Sequence, residues 1–448
     1  MPNALGKTAA VVGAGMGGLC AARALADHFE QIFVFERDEL PQEAIPRLGA
    51  GQSKHTHALL VGGQRALCQL FPGFDVAMEQ MGAVELRAGL DVLVERPGFD
   101  PFPQRDLNIK VYSMSRPLIE LATRRLLQKH ANVTIRDTCR VESFVATPDE
   151  STSITIEYKS ARGKADVLPA DLVIDASGRG VLTLELLQAM GRPPPEETKI
   201  GVELTYATAI FSIPKDAPRG YKGAFLFPDA PGISRAGLLL PIEGNRWILT
   251  LVGRQGDKPP TDHQGFLAFA ESLRTATIFD AVKGAELLGP ITPYGFLGSV
   301  KRHFERIADF PRGFLPLGDA LCRFNPVYGQ GMSVAAQEAC LLQELLDDVA
   351  GKVDPLAKIA DSYFAAAAAL LEAPWSSALL DLIYPETTGL RPPDFEERMK
   401  FGVGLIRLAA QDPGVHKLFY EVNNLIKPAS VYRDAELQRR VMAALGEG

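Results

Sequence analysis

The chain has 448 residues, 46% apolar and 23% charged, with a formal net charge of −7. That size supports a large core in two or three domains, and the composition is that of a globular protein rather than a disordered or fibrous one. The acidic balance leaves no basic footprint for nucleic acid or an anionic membrane, and five scattered cysteines without a CxxC pair argue for free thiols in a reducing cytoplasm, against a disulfide framework or structural zinc.

Thr8 to Val12 is a short apolar run that reads as a buried parallel strand. Gly13-Ala14-Gly15-Met16-Gly17-Gly18 follows at once, and Leu19 to Ala26 has helical spacing. Gln31 to Phe35 is the next strand, with Glu36 at its end. In this order Gly13 permits a tight turn, Gly15 lets backbone approach a pyrophosphate, and Gly18 lets helix and strand pack closely. A helix starting near Met16 offers unpaired N–H groups to phosphates. Glu36, about 20 residues on, is placed to accept ribose hydroxyls. A plain βα turn would use the same glycines; strand, helix and acid in register favour the dinucleotide reading. Lys7 before an apolar stretch mimics a signal peptide, but Arg23 and Asp27 interrupt it. No segment reaches the ~18 uninterrupted apolar residues of a membrane span.

Arg47 follows Pro46 in a loop and is either a solvated charge or a ligand contact. His55 and His57 would share a face on a strand. No Cys/Asp cluster completes a metal site with them. They read as imidazoles bonded to backbone near a cofactor, or as positioning groups, His57 more so than His55. Ser115 to His130 is a helix capped by Ser115, with Leu118, Leu121 and Leu126 on one face. Ala170 to Asp175 is another buried strand, ending in Ala176-Ser177-Gly178-Arg179-Gly180. Val202 to Ile213 is a long β-prone run. Gly237 to Ile242 is expected to pair with Arg246 to Val252 across Glu243-Gly244-Asn245. Phe314 to Leu317 delivers Gly318-Asp319. Asn325-Pro326-Val327-Tyr328-Gly329-Gln330-Gly331-Met332 then leads into a helix over Ser333 to Leu346. From about residue 355 the chain reads as mainly helical, broken near Pro374 and Pro392.

The two glycine-rich segments, at opposite ends of the chain, read as halves of one FAD site. A carboxylate at Asp319 can accept a ribityl hydroxyl. The helix start behind Gly329-Gln330-Gly331 aims N–H groups at the negative charge of a reduced flavin.

Together these segments resemble the FAD-dependent aromatic-hydroxylase-like (group A) monooxygenases over most of the chain. The family's three marks fall on Gly13 to Gly18 with Glu36, on Asp175 to Gly180, and on Gly318-Asp319 with Pro326 to Gly331. Arg116 in Met114-Ser115-Arg116-Pro117-Leu118 resembles the family's helix arginine that reaches the flavin chain. Arg47-Leu48-Gly49-Ala50-Gly51-Gln52-Ser53-Lys54-His55-Thr56-His57, Leu70-Phe71-Pro72-Gly73 and Phe324 to Met332 are similar to the branch holding bacterial polyether epoxidases of the lasalocid and monensin type.

The resemblance implies an α/β fold: a Rossmann-like FAD-binding domain (1–60, 105–190 and 285–350), an inserted antiparallel β-sheet substrate domain (61–104 and 191–284) and a helical C-terminal region (351–448). It implies a cytoplasmic monooxygenase that inserts one O₂-derived oxygen atom, by epoxidation or hydroxylation through a flavin C4a-hydroperoxide, into an apolar small molecule such as a polyketide or terpenoid. The oxygen chemistry belongs to the cofactor, so no catalytic triad is required, and no single catalytic residue stands out. The expected cofactor contacts are Gly13, Gly15, Met16, Gly17, Gly18, Glu36, Arg37, Arg47, His57, Arg116, Asp175, Gly318, Asp319, Pro326, Gly329, Gly331 and Met332. Substrate is expected between the Val202–Ile213 sheet and the flavin, under the Pro326–Gly331 loop. Where the family usually has Asp directly before Gly, this chain has Ser177 before Gly178. That leaves two electron sources open, NAD(P)H or a separate flavin reductase. A Trp-x-Trp-x-Ile-Pro halogenase motif is absent, with only Trp247 and Trp375 present. The Tyr-x-Trp-x-Phe-Pro signature of isoprenoid reductases is also absent; an alkene reductase or dehydrogenase is the alternative.

Overall fold

The computed structural model describes residues 4–146, 154–160 and 162–446. The elements that frame the site are, in chain order, β1 (Gly6–Val12), α1 (Met16–Leu25), β2 (Phe29–Phe35), α2 (Val61–Leu70), β3 (Val92–Glu95), α3 (Arg116–Leu127), β4 (Val133–Arg136), β5 (Leu172–Asp175), β6 (Glu197–Ser212), β7 (Gly223–Leu226), β8 (Ala236–Ile242), β9 (Arg246–Arg254), β10 (Thr292–Arg302), β11 (Phe314–Pro316), β12 (Cys322–Arg323), α4 (Gly331–Val349) and α5 (Ile359–Leu370).

The continuous apolar runs form a five-stranded parallel sheet in the order β11-β5-β1-β2-β4. Strands buried on both faces need no polar alternation, and Ala9 to Val11 are fully buried. Val12 pairs with both Phe35 and Asp175, and Asp175 with Pro316. Four strands therefore end level. α1, Glu36, the 176–180 turn and Gly318 all leave from that carboxyl edge, where ligands of open parallel sheets bind.

The second sheet is larger, in the order β12-β10-β6-β9-β8-β7-β3, antiparallel except for the β7–β3 pair. The β8–β9 hairpin closes as expected, with Ile242 opposite Arg246. Gly244 and Asn245 take the left-handed conformation that its turn requires. β6 is longer than the sequence indicated, and β3 joins the sheet from far upstream. The strand period of two sorts the faces. Ala207, Ala209, Phe211, Leu249 and Leu251 pack with Phe266, Phe269 and Ile278 of the covering helices. Tyr206, Thr208, Thr250 and Val252 fall on the opposite face. A three-stranded sheet (Arg140–Ala146, Ile154–Lys159, Ala165–Ala170) was not anticipated from the sequence. The C-terminal helices Phe395–Gln411, Pro413–Asn423 and Ala435–Gly446 share an apolar cluster with Phe102. Among the described residues no single helix is long and apolar enough to cross a membrane.

The closest approach in the nucleotide-binding unit is at Gly18. A Cβ there would stand 1.7 Å from the Gly13 carbonyl oxygen. Gly18→Ala is expected to lower unfolding stability by about 1–3 kcal/mol or more, because helix and turn must separate. Denaturant unfolding checks this; an unchanged midpoint would show that the contact is not limiting.

Candidate functional site

The strand end after β1 turns sharply at Gly13, whose φ is +99°. Glu36 is buried beneath that turn. One of its oxygens accepts from the Ala14 amide at 2.9 Å and the other from the Asp38 amide at 3.1 Å. The carboxylate is thus fixed in orientation. Arg47 arches over the same turn, its side chain only 8% exposed. Its guanidinium lies 3.2 Å from Glu36, 2.9 Å from Asp38 and 2.8 Å from Glu120. Of the two sequence readings of Arg47, the solvated one is therefore overturned. Burial opposes its charge, but Glu120 and Glu36 outweigh burial and hold its pKa above the ordinary arginine value. Arg37 projects outward beside Asp38 and is exposed.

A Cβ on Gly15 would have no neighbour closer than the Arg47 guanidinium at 4.0 Å. The space in front of Gly15 is therefore bounded by backbone amide on one side and a cation on the other. α1 starts here without a side-chain cap, so its first amides remain free for an anion. Arg116, at the start of α3, is buried and lies 3.5 Å from Glu120. Its Nη1 is buried without a hydrogen-bond partner. Burial lowers its pKa, partly offset by Glu120.

The second glycine segment meets this edge from the other side of β5. A Cβ on Gly17 would touch Leu317 at 3.2 Å and Ala335 at 3.7 Å, so α1, β11 and α4 are in direct contact. α4 begins at Gly331, also without a side-chain cap. Asp319 is exposed, and its Oδ1 lies 4.0 Å from where a Gly331 Cβ would stand. Desolvation raises its pKa, eased by Arg323 and Arg116. Gly318 donates its amide to Glu338 at 2.7 Å. Gly329 takes a left-handed φ of +66°, Met332 is buried, and Pro326 stands exposed on the rim. Two uncapped helix starts, the open position at Gly15 and the unpaired Arg116 nitrogen are the features that FAD requires. The residues present fit that cofactor.

Asp175 does not fit the contact role the resemblance implied. It is fully buried. One oxygen accepts from the Ser177 amide at 3.0 Å and the Ser177 hydroxyl at 2.6 Å; the other accepts from the amide and hydroxyl of Thr183. Both oxygens tie the 176–180 turn to the helix behind it, so Asp175 positions the turn and offers nothing free to a cofactor. His57 takes the backbone-bonded reading, and His55 does not. They lie in a loop after a 3-10 turn over Leu48–Lys54, not on a strand. His57 Nδ1 pairs with the His55 carbonyl at 2.9 Å. Burial, with Arg116 adding to it, lowers the His57 pKa to about 3. His55 turns instead to β6, its Nδ1 2.8 Å from the Thr208 hydroxyl.

A cavity opens between these histidines, the inner face of the large sheet and the Pro326 loop. Its walls are Gln52, His55, Thr56, His57, Tyr206, Leu238, Thr250, Val252, Tyr294, Pro326 and Val327. Asp381 and Arg254, which help to organise it, carry no sequence signal. Asn325 is fully buried; its amide donates to Asp381 at 2.9 Å, and its carbonyl oxygen accepts from Tyr206 at 3.1 Å and from the Val327 amide at 3.1 Å. Asp381 pairs with Arg254, and Gln330 donates to Ser377 at 3.0 Å. The helical C-terminal region thus holds the loop that leads into α4. Only the fold brings Asp381, Asn325 and Arg254 together.

Fold and site define an FAD-dependent oxidoreductase with the architecture of the flavin monooxygenases. The chain is 30% identical over 356 residues to Protein Rv3254 of Mycobacterium tuberculosis, spanning 75% of this chain and 72% of that one, and it belongs to the same family. It is 27% identical over 357 residues to kynurenine 3-monooxygenase of Salinispora tropica, again covering 75% and 72%. Among solved structures it is similar to p-nitrophenol 4-monooxygenase PnpA of Pseudomonas putida DLL-E4, with TM-score 0.67, 16% identity and coverage of 94% and 99%. It is also similar to the flavin-dependent brominase Bmp2, with TM-score 0.66, 15% identity and coverage of 99% and 98%. These two likenesses show the fold. No family model matches the chain.

Two predictions follow from this geometry. Gly15→Val is expected to fold with native stability but purify without yellow cofactor, because its side chain enters only the space before the turn; full flavin content by absorbance would refute the cradle. The second concerns Glu338, whose pKa burial raises from 4.5 to about 8. A raised folded-state value makes its stability contribution full below about pH 4.5 and progressively lost as pH rises towards 8. Glu338→Gln keeps an acceptor for the Gly318 amide and is expected to flatten that decline in urea-unfolding profiles. Parallel profiles would exclude Glu338 as the source.

Proposed function

We propose that the protein is an FAD-dependent monooxygenase that inserts one O₂-derived oxygen atom into an apolar small molecule, by epoxidation or hydroxylation. The observation that carries this reading is the meeting of two uncapped, glycine-initiated helices at one strand edge, with an aromatic-walled cavity beside them. Bound FAD, reduced by NAD(P)H or by a separate flavin reductase, would supply the oxygen chemistry. The chain's own residues bind and orient. Gly13 to Gly18 and the start of α1 receive the pyrophosphate, with Met16 and Gly17 backing the turn and Arg47 and Arg116 supplying positive charge. Glu36, with Arg37 at the rim, holds the adenosine end. Asp319 and Gly318 hold the ribityl chain. Gly331 and Met332, at the start of α4 behind Pro326 and Gly329, stabilise negative charge on the ring. His57, kept neutral, packs beside Arg116.

An apolar polyketide or terpenoid substrate is supported by the Arg47–His57 and Phe324–Met332 runs, which resemble the polyether-epoxidase branch. The joining of β3 to the large sheet supports assigning 61–104 with 191–284 to the substrate domain; β10 and β12 carry that sheet into 285–350, so only the remainder of 285–350 goes with 1–60 and 105–190, and the helices of 351–448 follow. Five free cysteines accord with the cytoplasm.

Anaerobic reduction of the holoprotein followed by rapid mixing with O₂ tests the reaction class. A transient absorbing species that precedes reoxidised flavin is expected. Direct return to oxidised flavin, with apolar ligands present as well as absent, would replace this reading with an alkene reductase or dehydrogenase.

A further inference from the structure

Glu338 lies beneath the cofactor edge and has little there to hold a charge. It is fully buried, two turns into α4, and its Oε2 accepts the Gly318 amide at 2.7 Å. Its Oε1 is buried without a hydrogen-bond partner. The Tyr363 hydroxyl of α5, which feels Glu338 electrostatically, is buried and unpartnered as well. Cys322 of β12 turns to it a thiol that burial keeps protonated. α1 and α2 meet this part of α4 at Cys340, through Cys20 and the Ala66 carbonyl, and bring Glu338 no charge.

Asp319, one residue past Gly318, is the contrast. Arg323, Arg116 and Arg302 all favour its charge. Among the described residues no cation supports Glu338, and Asp319 is the charge that acts on it. An ionised carboxylate buried with a single amide for support is costly, and a like charge beside it adds to the cost. Of the two carboxyls at this turn, Asp319 therefore carries the charge and Glu338 the proton. Oε2 accepts from the Gly318 amide, so the proton belongs on Oε1. Desolvation, with Asp319 adding to it, raises the Glu338 pKa to about 8. The proton is thus lost as pH rises past that value. The amide bond to Oε2 survives the loss, and only the charge changes.

We propose that Glu338 is a proton-linked tuner of the bound flavin: with its proton in place the site tolerates the negative charge of the reduced cofactor, and without it the site opposes reduction. The proposal rests on the FAD reading of this edge and not on the fate of oxygen. Reduction to the singly negative flavin takes two electrons, from NAD(P)H or a reductase, and one proton. Where Glu338 starts ionised, a second proton from solvent is taken up at its Oε1, drawn by the new charge. The rise of an α-helix puts Glu338 about 10 Å from the helix start assigned to that charge. At such a distance, with an effective dielectric constant of about 20, one negative charge disfavours another about tenfold. For a two-electron couple that is about 30 mV. Glu338 touches no reacting atom and acts only through its charge.

The test is the reduction potential of the flavin in the holoprotein, measured anaerobically against a reference dye at pH 6 and pH 9, for the native protein and for Glu338→Gln. Glutamine is neutral and keeps an acceptor for the Gly318 amide. The two potentials are expected to agree at pH 6, and at pH 9 the native value should lie about 30 mV below that of the variant. A purely structural role would shift the variant equally at both. If Glu338→Gln loads no FAD, proton uptake by the native protein decides: near pH 8 its reduction should take up clearly more than one proton per flavin. A native potential equal to or above the variant's at pH 9, an offset that is the same at both pH values, or an uptake of one proton would each overturn the proposal. Neither oxygen nor substrate takes part, so this result and the oxygen-mixing result fail independently.

Discussion

The cofactor end of the molecule depends on how closely α1 is allowed to approach the end of β1. Gly18 has no Cβ, and the Gly13 carbonyl occupies the place one would take. The start of α1 therefore sits directly on the strand turn. The register of the parallel sheet does the rest, since Phe35, Asp175 and Pro316 end level with Val12 or with its neighbour. Glu36, the 176–180 turn and Gly318 are brought to one edge without long loops. The anion-attracting end of a helix acts within its first turn, so a displacement of one side chain's width at Gly18 would take the free amides out of reach.

Charge at that edge is balanced within the protein. Glu36, Asp38 and Glu120 surround the Arg47 guanidinium, and Arg116 leans on Glu120. Such pairs orient groups more reliably than they stabilise a fold, because desolvation offsets much of the attraction. Their consequence here is that Arg47 is already aimed at Gly15, and little ordering remains to be done on binding. The loop before α4 uses the same device. Asp381, fully buried, holds Arg254 and Asn325, and Asn325 in turn holds Tyr206 and the loop before α4. A segment late in the chain thus fixes the approach to a helix start some distance earlier.

The legible parts of the sequence were those governed by local rules. The glycine turn, Glu36, the Ser115 cap and the β8–β9 hairpin each follow from a short pattern with a steric or hydrogen-bonding cause. The long-range partners were illegible because their causes lie in the fold. Nothing near Glu120 or Asp38 says that Arg47 will lie between them, and Arg254 carries no mark of Asp381. Asp175 was misread because a turn motif records where a carboxylate sits but not which way it faces; its two oxygens look into the protein, onto Ser177 and Thr183. His57 is bonded to backbone, one of the two readings its sequence allows, whereas no local pattern tells that His55 turns to the sheet. Spacing of two implies a shared face only on a strand, and the loop here sends one ring to the sheet and ties the other to backbone.

A shared fold does not decide the reaction, because function lives in the site that the fold carries. Flavin-binding machinery of this kind activates a cofactor whose reactivity is largely its own, so selection among reactions falls to the cavity next to it. In this chain the cavity wall is the inner face of β6 and β9, and the strand period puts Tyr206, Thr208, Thr250 and Val252 on it while the apolar residues between them turn to the covering helices. The hydroxyls on that wall satisfy one another through to His55. The chain of hydrogen bonds ends there, and His55 Nε2 is buried without a partner. The same wall carries Gln52, His57 and Tyr294 beside its apolar residues, so selection among ligands rests on several polar groups held by different elements and not on the flavin-binding edge.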